Sequence, residues 1–455
     1  MEIRISLIIM TRRDDDYCRN HPNYPHKKKA WFSRRLLILI SRVTDIKLLK
    51  LPLRVAFFTF SRQNHLFMRK TGLPTLVIAL SILSGCIDDD KPKTEIVQKS
   101  DSVEWTLVPF TKTDSLNPIL AAGTGEFICP ILKRKIKWEN KDVFNPAVIG
   151  KDGKVFMLYR AEDTIGKYAG TSRIGLAESN DGLHFTRYPE PVFFPDNDAQ
   201  KKYEWEGGCE DPRLVQDENG TYILTYTAYD GDKARLMIAS SKNLKKWTKH
   251  GHAFANAYNG KYVDKWSKSG SIVSTYTDDG NIIATKINGK YWMYWGDVNI
   301  WAAVSEDLIR WTPVLYDEGQ KPDIELRHNS VETPEIKIVF GPRKGKFDSD
   351  LVEPGPPAML TDKGIVLIYN SRNVPSIGDS TLVEGTYTAS QILLDKSDPM
   401  KVVERMDAYF MKPDKPYETT GQVNHVCFVE GLVKFKNNWF LYYGTADSKI
   451  AVAVK

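Results

Sequence analysis

The segment Lys151-Asp152-Gly153-Lys154-Val155-Phe156-Met157-Leu158-Tyr159 joins a turn signal to a short apolar strand that ends in an aromatic residue. Asp-Gly between β-prone residues is typical of a tight hairpin turn. The same combination recurs at residues 217–226, 288–295, 361–369 and 436–443. The aromatic residues that end these strands stand at positions 159, 226, 295, 369 and 443, so the repeat is 67 to 74 residues long.

In three of the five units a further strand ends in a shared pattern, a turn containing Asp or Asn that is followed by an aromatic residue. This pattern spans residues 177–185, 239–247 and 303–311. Five units of about four strands each predict an all-β fold, a five-bladed β-propeller, over residues 104–455. An all-β sandwich is the structural alternative, but a sandwich would not repeat at this length.

The first strand of each blade is expected to begin near the axis of the propeller. Most of the segments at those positions combine polar residues with Gly or Pro. The five segments are residues 144–147, 210–213, 268–271, 353–357 and 424–426. Polar segments that meet at one point would form a site for a small polar ligand. Asn145 and His425 are candidate ligand contacts because they belong to these segments.

The segment Gly207-Gly208-Cys209-Glu210-Asp211-Pro212-Arg213 holds two adjacent carboxylates, a guanidinium group and a proline. Glycine lets the backbone approach a ligand closely, and the residue before a proline is biased towards an extended conformation. We therefore expect Asp211 to be extended and held stiffly, with Arg213 near enough to tune its charge or to bind a polar substrate. The alternative is a structural turn with a surface ion pair.

Residues 68–86 are interpreted as a bacterial lipoprotein signal peptide. Basic residues after Met68 precede an apolar run that is too short for an ordinary membrane span, and the run ends in Leu83-Ser84-Gly85-Cys86. Cys86 is therefore the predicted site of lipidation. A buried helix or an ordinary signal peptide is the alternative.

This interpretation assigns the rest of the N-terminal region. Residues 1–67 would be a misassigned leader, or else a cytoplasmic one, and the polar residues 87–103 a flexible tether. The acidic residues 88–90 resemble the surface-export signal of Bacteroidetes lipoproteins. The predicted location is outside the cytoplasm, in the periplasm or on the outer-membrane surface, with a lipid anchor as the only contact with the membrane.

The charge and the cysteines exclude several classes of protein. Residues 1–67 contain 14 Lys and Arg against 5 Asp and Glu, whereas the whole chain has a net charge of only +6. The basic character thus belongs to the leader and gives no reason to expect nucleic-acid binding. Cys129, Cys209 and Cys427 show no metal-ligand spacing and could form at most one disulfide. Neither a metal nor an organic cofactor is predicted.

Two carboxylates near the predicted axis, Asp211 and Glu353, could supply the acid and the base that cleavage of a glycosidic bond requires. Nearby arginines could bind hydroxyl groups or lower the pKa of carboxyl groups. The supporting candidates are the carboxylates Glu162, Glu210 and Asp447 and the guanidinium groups of Arg160, Arg173, Arg213 and Arg372.

Several motifs in residues 140–455 resemble glycoside hydrolase family 130. They are Asn145-Pro146-Ala147, Tyr159-Arg160-Ala161-Glu162, Ser172-Arg173-Ile174-Gly175, Gly208-Cys209-Glu210-Asp211-Pro212-Arg213, Gly355-Pro356-Pro357, Leu393-Leu394-Asp395 and Tyr443-Gly444-Thr445-Ala446-Asp447. The resemblance implies a five-bladed propeller that acts on β-mannosides with inversion. That family contains phosphorylases and, among extracytoplasmic Bacteroidetes proteins, β-1,2-mannosidases.

The resemblance also assigns roles to residues. Asp211 matches the general acid of the family, which is thought to pass its proton through a sugar hydroxyl group in the phosphorylases. The positions that match the sugar pocket are Arg160, Glu162, Arg173, Glu210, Arg213 and Asp447. Lys268 matches, more loosely, a phosphate-binding lysine.

One departure favours a hydrolase. The phosphorylases have Tyr-His-Gly where this chain has Tyr369-Asn370-Ser371, and replacing a histidine by a neutral amide should weaken the binding of a phosphate dianion. Water would then need a carboxylate base, for which Glu353 is preferred over Glu332 and Glu335. An inverting enzyme should separate this base from Asp211 by roughly 6.5–9.5 Å.

The sequence thus predicts an inverting β-mannoside hydrolase, with β-1,2-linked oligosaccharides favoured. A phosphorylase that holds inorganic phosphate as co-substrate through Lys268 and Arg372 is the first alternative. A surface propeller that binds glycans without cleaving them is the second. The sequence makes no prediction about the oligomeric state.

Overall fold

A computed structural model describes residues 104–455, except Ala169, Lys321, Ile324, Glu325 and Arg327. The predicted leader, the signal peptide with Cys86 and the tether at residues 87–103 lie outside the described residues and stay predictions. Cys129, Cys209 and Cys427 are buried free thiols.

The described chain is built almost entirely of β-strands. In chain order these are β1 (Thr111–Lys112), β2 (Glu126–Cys129), β3 (Arg134–Lys137), β4 (Asp142–Lys151), β5 (Lys154–Glu162), β6 (Ser172–Ser179), β7 (Thr186–Arg187), β8 (Gly208–Gln216), β9 (Tyr222–Tyr229), β10 (Ala234–Ser241), β11 (Trp247–His252), β12 (Ser271–Ile272) and β13 (Ser274–Tyr276). They continue as β14 (Ile282–Ala284), β15 (Tyr291–Trp295), β16 (Ile300–Ser305), β17 (Thr312–Pro313), β18 (Ile338–Phe340), β19 (Leu351–Pro354), β20 (Met359–Leu360), β21 (Ile365–Arg372), β22 (Tyr387–Leu394), β23 (Val402–Arg405), β24 (Cys427–Phe435), β25 (Asn438–Thr445) and β26 (Lys449–Val454).

Helices are few and short in the described residues. The α-helices are α1 (Lys201–Glu204) and α2 (Pro416–Thr419), and 3-10 turns cover Ala257–Gly260 and His328–Glu332. No helix in residues 104–455 has the length and apolar character needed to cross a bilayer.

The strands pair antiparallel in five successive groups. Group one is β4-β5-β6-β7, group two is β8-β9-β10-β11, and group three is β12-β15-β16-β17, with β18 also on β16. Group four joins β19 and β20 to β21-β22-β23. Group five is β24-β25-β26, and its fourth strand is β1 from the start of the described chain. The two ends of the described chain are thus tied together in one sheet.

The repeat predicted from the sequence is confirmed. Each predicted apolar strand is the second strand of a group, namely β5, β9, β15, β21 or β25. The turn between β4 and β5 has positive φ at both Asp152 (51°) and Gly153 (71°), as a tight hairpin turn of the predicted kind requires. The hairpin β13-β14, which separates β12 from β15, had no counterpart in the prediction.

The shared pattern after the third strand of groups one, two and three is a side-chain-capped turn. Ser179 Oγ accepts a hydrogen bond from the N–H of Gly182 at 2.9 Å, and Ser241 and Ser305 bind the N–H groups of Leu244 and Leu308 in the same way. Such local bonds replace strand pairing and end the strand. The turn predicted from the shared pattern is confirmed at these positions.

The apolar core lies between neighbouring groups. One cluster joins groups one, two and three, a second joins three to four, a third joins four to five, and a fourth joins five back to one. The second strands β9 and β21 are each buried at seven of eight residues, so both faces of these strands pack in the interior. The groups therefore pack in cyclic order, and the first strands β4, β8, β19 and β24 contact one another or neighbouring groups.

Candidate active site

Two β-bulges bring the first two polar segments together. The pairing of β4 with β5 passes from Phe144 to Pro146, and that of β8 with β9 passes from Glu210 to Arg213. The skipped residues Asn145 and Asp211 have φ of 47° and 45°. The prediction that Asp211 is extended was therefore wrong, because the bulge sets the backbone more strongly than the preference of a residue before proline.

The left-handed backbone recurs in the corresponding segments. Ser269 has φ of 60° and His425 has φ of 59°. Such a conformation is uncommon for residues other than glycine, costs about 1–3 kcal/mol and is concentrated at functional sites. Asn145 Nδ2 donates to Asp211 Oδ1 at 2.8 Å, so the strained residues of groups one and two are in direct contact.

Asp211 lies between two cations. Its Oδ1 is 3.0 Å from Arg160 Nη1 and its Oδ2 is 3.3 Å from Lys268 Nζ, and only 2% of the residue is exposed. Burial alone would raise the pKa of Asp211, but Lys268, Arg160 and the amide of Asn145 together lower it well below its ordinary range. Asp211 is therefore ionised at neutral pH in the absence of substrate.

Lys268 also contacts the predicted base. Its Nζ is 3.1 Å from Glu353 Oε1, which also accepts a hydrogen bond from the hydroxyl group of Ser269. Burial alone would lower the pKa of Lys268. The negative charges of Glu353 and Asp211 outweigh this effect, so its pKa lies well above the ordinary value for lysine. Lys268 Nζ lies 3.3 Å from Asp211 Oδ2 and 3.1 Å from Glu353 Oε1. The distance between these two oxygens therefore cannot exceed the sum of the two distances. The predicted separation of roughly 6.5–9.5 Å was therefore wrong for these two oxygens, because the ammonium group of Lys268 draws both carboxylates towards one point.

Arg160 organises the other side of Asp211. Its Nη2 lies 2.8 Å from Glu162 Oε1 and 2.9 Å from Glu210 Oε1, and its Nε donates to Ser172 Oγ at 3.0 Å. Burial raises the pKa of Glu210 to about 7, although Arg160 opposes the shift. Glu210 is therefore the carboxyl group beside Asp211 that can hold a proton near neutral pH.

Asp447 has similar electrostatics. It stands at the turn after β25, and burial raises its pKa to about 7 against the opposing effect of Arg160. The neighbouring charges of Asp211 and Glu162 also raise this pKa, which places Asp447 in the same electrostatic environment. The structure thus brings together Asn145, Arg160, Glu162, Glu210, Asp211, Lys268, Glu353 and Asp447.

Two other predicted residues are occupied by structural bonds. Asn370 is fully buried, and its side chain donates to the carbonyl oxygen of Val429 at 2.9 Å and accepts from the N–H of Val429 at 2.7 Å. Arg372 lies 3.1 Å from Asp350 Oδ2 in an ion pair. The side chain of Asn370 therefore ties group four to group five, and its predicted role in binding substrate has no geometric support.

Arg173 and Arg213 are also buried. Arg173 Nη1 lies 2.7 Å from Asp163 Oδ2 and donates to the carbonyl oxygen of Thr171 at 2.9 Å. Arg213 donates to the backbone carbonyl oxygens of Pro354 and Gly355. Their side chains are each 1% exposed, so the structure holds both in the protein interior rather than at an open pocket.

The remaining candidates contact other residues. The backbone oxygen of His425 accepts a hydrogen bond from the N–H of Tyr387, and the residue is half-buried. Glu335 pairs with Lys261 at 2.5 Å and Glu332 with Lys265 at 3.3 Å. Both glutamates thus form ion pairs with lysines that follow the 3-10 turn Ala257–Gly260. This agrees with the choice of Glu353 as the candidate base.

Sequence reasoning missed three residues of the site. Lys141 Nζ lies 2.7 Å from Glu162 Oε2, Ser269 binds Glu353, and Glu430 Oε1 lies 3.3 Å from Arg213 Nη1. Ser269 could have been found, because it lies inside a segment that the repeat places near the axis. Lys141 immediately precedes β4, and Glu430 lies within an apolar strand, so neither has a local pattern that distinguishes it.

The arrangement combines proton donors and acceptors at neutral pH. Asp211 is ionised, whereas Glu210 and Asp447 have a pKa near 7. Groups with separated pKa values in one pocket are the usual basis of acid and base catalysis. The cluster is therefore suited to proton transfer on a neutral polar substrate.

Comparison with known proteins supports this interpretation. Residues 131–455 match the family model for glycoside hydrolase family 130, which is described as β-1,4-mannooligosaccharide phosphorylase. A 1,2-β-oligomannan phosphorylase from Thermoanaerobacter sp. (strain X514) is 30% identical over 336 residues, which are 71% of this chain and 94% of that protein.

Solved structures are more similar in sequence. A glycosyl hydrolase from Bacteroides ovatus is 44% identical with a TM-score of 0.72, and the match covers 77% of this chain and 95% of that one. A structure from work on glycoside hydrolases of this family that target β-1,2 mannosidic linkages in Candida mannan matches with the same identity, coverage and TM-score. With most of the described chain matched by the family model, the protein belongs to glycoside hydrolase family 130.

Proposed function

We propose that this protein is an inverting hydrolase of β-mannosides, with β-1,2-linked oligosaccharides as its preferred substrates. The five strand groups, packed in cyclic order, are the five blades of a β-propeller in this proposal. The site lies where the first strands of the blades begin. A lipid anchor on Cys86 and a location outside the cytoplasm complete the proposal and rest on the sequence alone.

The environment of Lys268 is the observation that favours water over phosphate as the attacking nucleophile. Its ammonium group already binds the carboxylates of Asp211 and Glu353. A phosphate dianion placed at Lys268 would face two buried negative charges, which is unfavourable in a poorly solvated site. A neutral water molecule meets no such repulsion, and Glu353 is placed to accept its proton.

Asn370 supports the same choice. The amide oxygen and one N–H of Asn370 bind the backbone of Val429, and the residue is fully buried, so its side chain is held away from an incoming anion. The similarity to structures of glycoside hydrolases at 44% identity, against 30% for the phosphorylase relative, also favours hydrolysis.

The proton for the leaving group comes from the pair Glu210 and Asp211. Asp211 is ionised before substrate binds, so it must gain a proton to act as the acid. Glu210, with a pKa of about 7, shares Arg160 with Asp211 and is partly protonated at neutral pH. In this mechanism Glu210 supplies the proton, Asp211 delivers it, and Glu353 activates the water molecule.

A phosphorylase is the second candidate. The family model and the Thermoanaerobacter relative are both described as phosphorylases. Lys268 and Arg372 would be the cations for phosphate, although each is paired with a carboxylate in the described chain. The loss of those ion pairs on binding phosphate would have to be offset by the new contacts.

The test is the release of sugar from β-1,2-mannobiose by the purified protein, with and without inorganic phosphate. We expect free mannose without phosphate, formed first as the α-anomer in proton NMR spectra because inversion changes the β configuration. Mannose 1-phosphate formed only with phosphate would establish the phosphorylase instead. Binding without cleavage in either condition would contradict both and indicate a glycan-binding protein. Glu353→Gln is the control, since it should bind the sugar and lose turnover.

A further inference from the structure

The guanidinium group of Arg213 binds the backbone on both sides of the proposed acid and base. Its Nε donates to the carbonyl oxygen of Gly355 at 2.8 Å and its Nη2 to that of Pro354 at 2.6 Å. Its Nη1 is 3.4 Å from the carbonyl oxygen of Asp211. Pro354 and Gly355 directly follow Glu353, so one side chain contacts the backbone of both catalytic segments.

A second buried group holds this arginine. Glu430 is 0% exposed, and its Oε1 lies 3.3 Å from Arg213 Nη1. Glu430 stands at a bulge in β24, where the pairing with β25 passes from Val429 to Gly431. Neither of its carboxylate oxygens accepts a hydrogen bond from the described residues. A buried carboxyl group with a single charged partner is costly when ionised, and burial accordingly raises the pKa of Glu430 well above its ordinary range, although Arg213 opposes the shift.

We propose that Arg213 and Glu430 form a backbone clamp that fixes the position of Glu353 relative to Asp211. The proposal rests on the proposed function, because it assumes that these two carboxylates carry the reaction. Arg213 is two residues from Asp211 on β8, and the carbonyl groups that it binds are one and two residues from Glu353 at the end of β19. Glu430 on β24 holds the guanidinium from a third blade, and both are positioning residues.

The chemistry of arginine suits this role. Its planar guanidinium presents several donors in fixed directions, and a lysine in the same place could not bind two adjacent carbonyl groups with the same geometry. Catalytic groups must be held to a fraction of an ångström, and a displacement of about 1 Å can reduce the rate about 100-fold. The bulge at Asp211 leaves that residue without strand pairing, so an additional restraint is needed there.

The experiment compares Arg213→Lys and Glu430→Gln with Arg405→Lys, in the full chain and with the same mannoside substrate. Arg405 is a matched control, because it also pairs with a buried carboxylate, Asp348, at 2.6 Å and donates to a backbone carbonyl oxygen, that of Gly341. Arg405 lies on β23, the outermost strand of group four.

We expect kcat to fall about 100-fold in Arg213→Lys and about 10-fold in Glu430→Gln, with KM changed less than about threefold, since a misplaced acid and base affect the reaction more than binding. Arg405→Lys should lower the melting temperature to a similar degree and leave kcat within about twofold of the unaltered protein. If kcat in both Arg213→Lys and Glu430→Gln stays as close to that of the unaltered protein as kcat in Arg405→Lys, the two residues have only a structural role and the proposal is wrong.

A crystal structure of each variant separates failure of the clamp from failure of the proposed function. If the unaltered protein cleaves no mannoside, the proposed function fails, but the clamp still predicts that the carboxyl groups of Asp211 and Glu353 move relative to each other in Arg213→Lys. A shift above roughly 0.5 Å supports the clamp, because catalytic groups must be held to about that precision. An unchanged separation overturns it. Should Arg213→Lys fail to fold, Glu430→Gln gives the same comparison.

Discussion

Replacing Lys268 by Met tests the centre of the proposed site, because its ammonium group contacts both carboxylates that are proposed to be catalytic. Methionine has nearly the length of lysine and removes the charge with little change in packing. The substitution leaves Asp211 and Glu353, which are 2% and 4% exposed, without their common cation. We expect the protein to lose stability and turnover together.

The magnitude follows from the two contacts. At the observed separations and an effective dielectric constant near 20, each pair contributes about 5 kcal/mol of Coulomb attraction before desolvation is counted. Breaking a buried ion pair costs about 3–5 kcal/mol net when one charge is left behind. Arg160 remains on Asp211 and the hydroxyl group of Ser269 remains on Glu353. We therefore expect the low end, a loss of about 3 kcal/mol in the free energy of unfolding at pH 7.5.

The loss should depend on pH in a definite direction. The folded-state pKa of Asp211 lies below its unfolded value of about 4, so its interactions with Lys268 and Arg160 stabilise the fold fully above that pH and are lost as the pH falls through the folded pKa. Without Lys268 the folded pKa of Asp211 rises, and protonation relieves part of the penalty in acid. The difference between the two proteins should be largest at pH 7.5 and smaller at pH 4.5.

The assay is urea unfolding at both pH values, combined with kcat on β-1,2-mannobiose at pH 7.5. Lys249→Met is the matched control, since Lys249 also lies between two carboxylates, at 2.5 Å from the buried Glu204 and 3.0 Å from Asp198. Lys249 lies on β11, the outermost strand of group two. The control should lose similar stability and keep its turnover, whereas Lys268→Met should lose turnover at least 100-fold, a typical effect of losing one electrostatic contact in an active site.

Two results would refute this reasoning. If Lys268→Met is as stable as the unaltered protein, or if the difference is the same at pH 4.5 and pH 7.5, then the carboxylates do not depend on this ammonium group. If the unaltered protein forms mannose 1-phosphate only with added phosphate and Lys268→Met weakens that response, Lys268 binds phosphate and the phosphorylase assignment is correct.

The remaining predictions concern Glu210 and Asn370. For the unaltered protein, kcat/KM should fall as the pH rises above about 7, since Glu210 loses its proton there. In Glu210→Gln this decline should be absent, and kcat at pH 6 should be at least about 10-fold lower than in the unaltered protein. A pH–rate profile that keeps its alkaline limb in Glu210→Gln would make Asp447 the proton source instead. Asn370→Ala should lower the free energy of unfolding by about 3 kcal/mol, because two buried backbone groups of Val429 lose their partner. Chemical unfolding measures this, and a loss below about 1 kcal/mol would mean that Val429 is satisfied in another way.

The strand repeat was readable from the sequence because each second strand is buried on both faces and preceded by a turn. Residues 291–295, for example, coincide with β15 as a whole. The fourth strand of group five was not readable, since β1 has two residues and its partner β26 lies at the other end of the chain. Pairing over such a distance leaves no local pattern.

The candidate site was predicted in composition but not in conformation. The polar segments at the starts of the first strands identified Asp211, Lys268 and Glu353, which the structure brings together. Local preferences predicted an extended Asp211, whereas a bulge gives it φ of 45°. The burial of Arg213 and Asn370 was not predictable either, since their partners are backbone atoms of other strand groups, which have no sequence signature.

The charges of the site explain its chemistry better than any single residue. Three cations, Lys141, Arg160 and Lys268, pair with four carboxylates, those of Glu162, Glu210, Asp211 and Glu353. A surplus of buried negative charge is relieved by protonation, and Glu210 accordingly has a raised pKa. In the proposed hydrolase, the same surplus would disfavour a phosphate dianion but not water or a neutral sugar. One property of the cluster would then provide a proton near pH 7 and select water over phosphate.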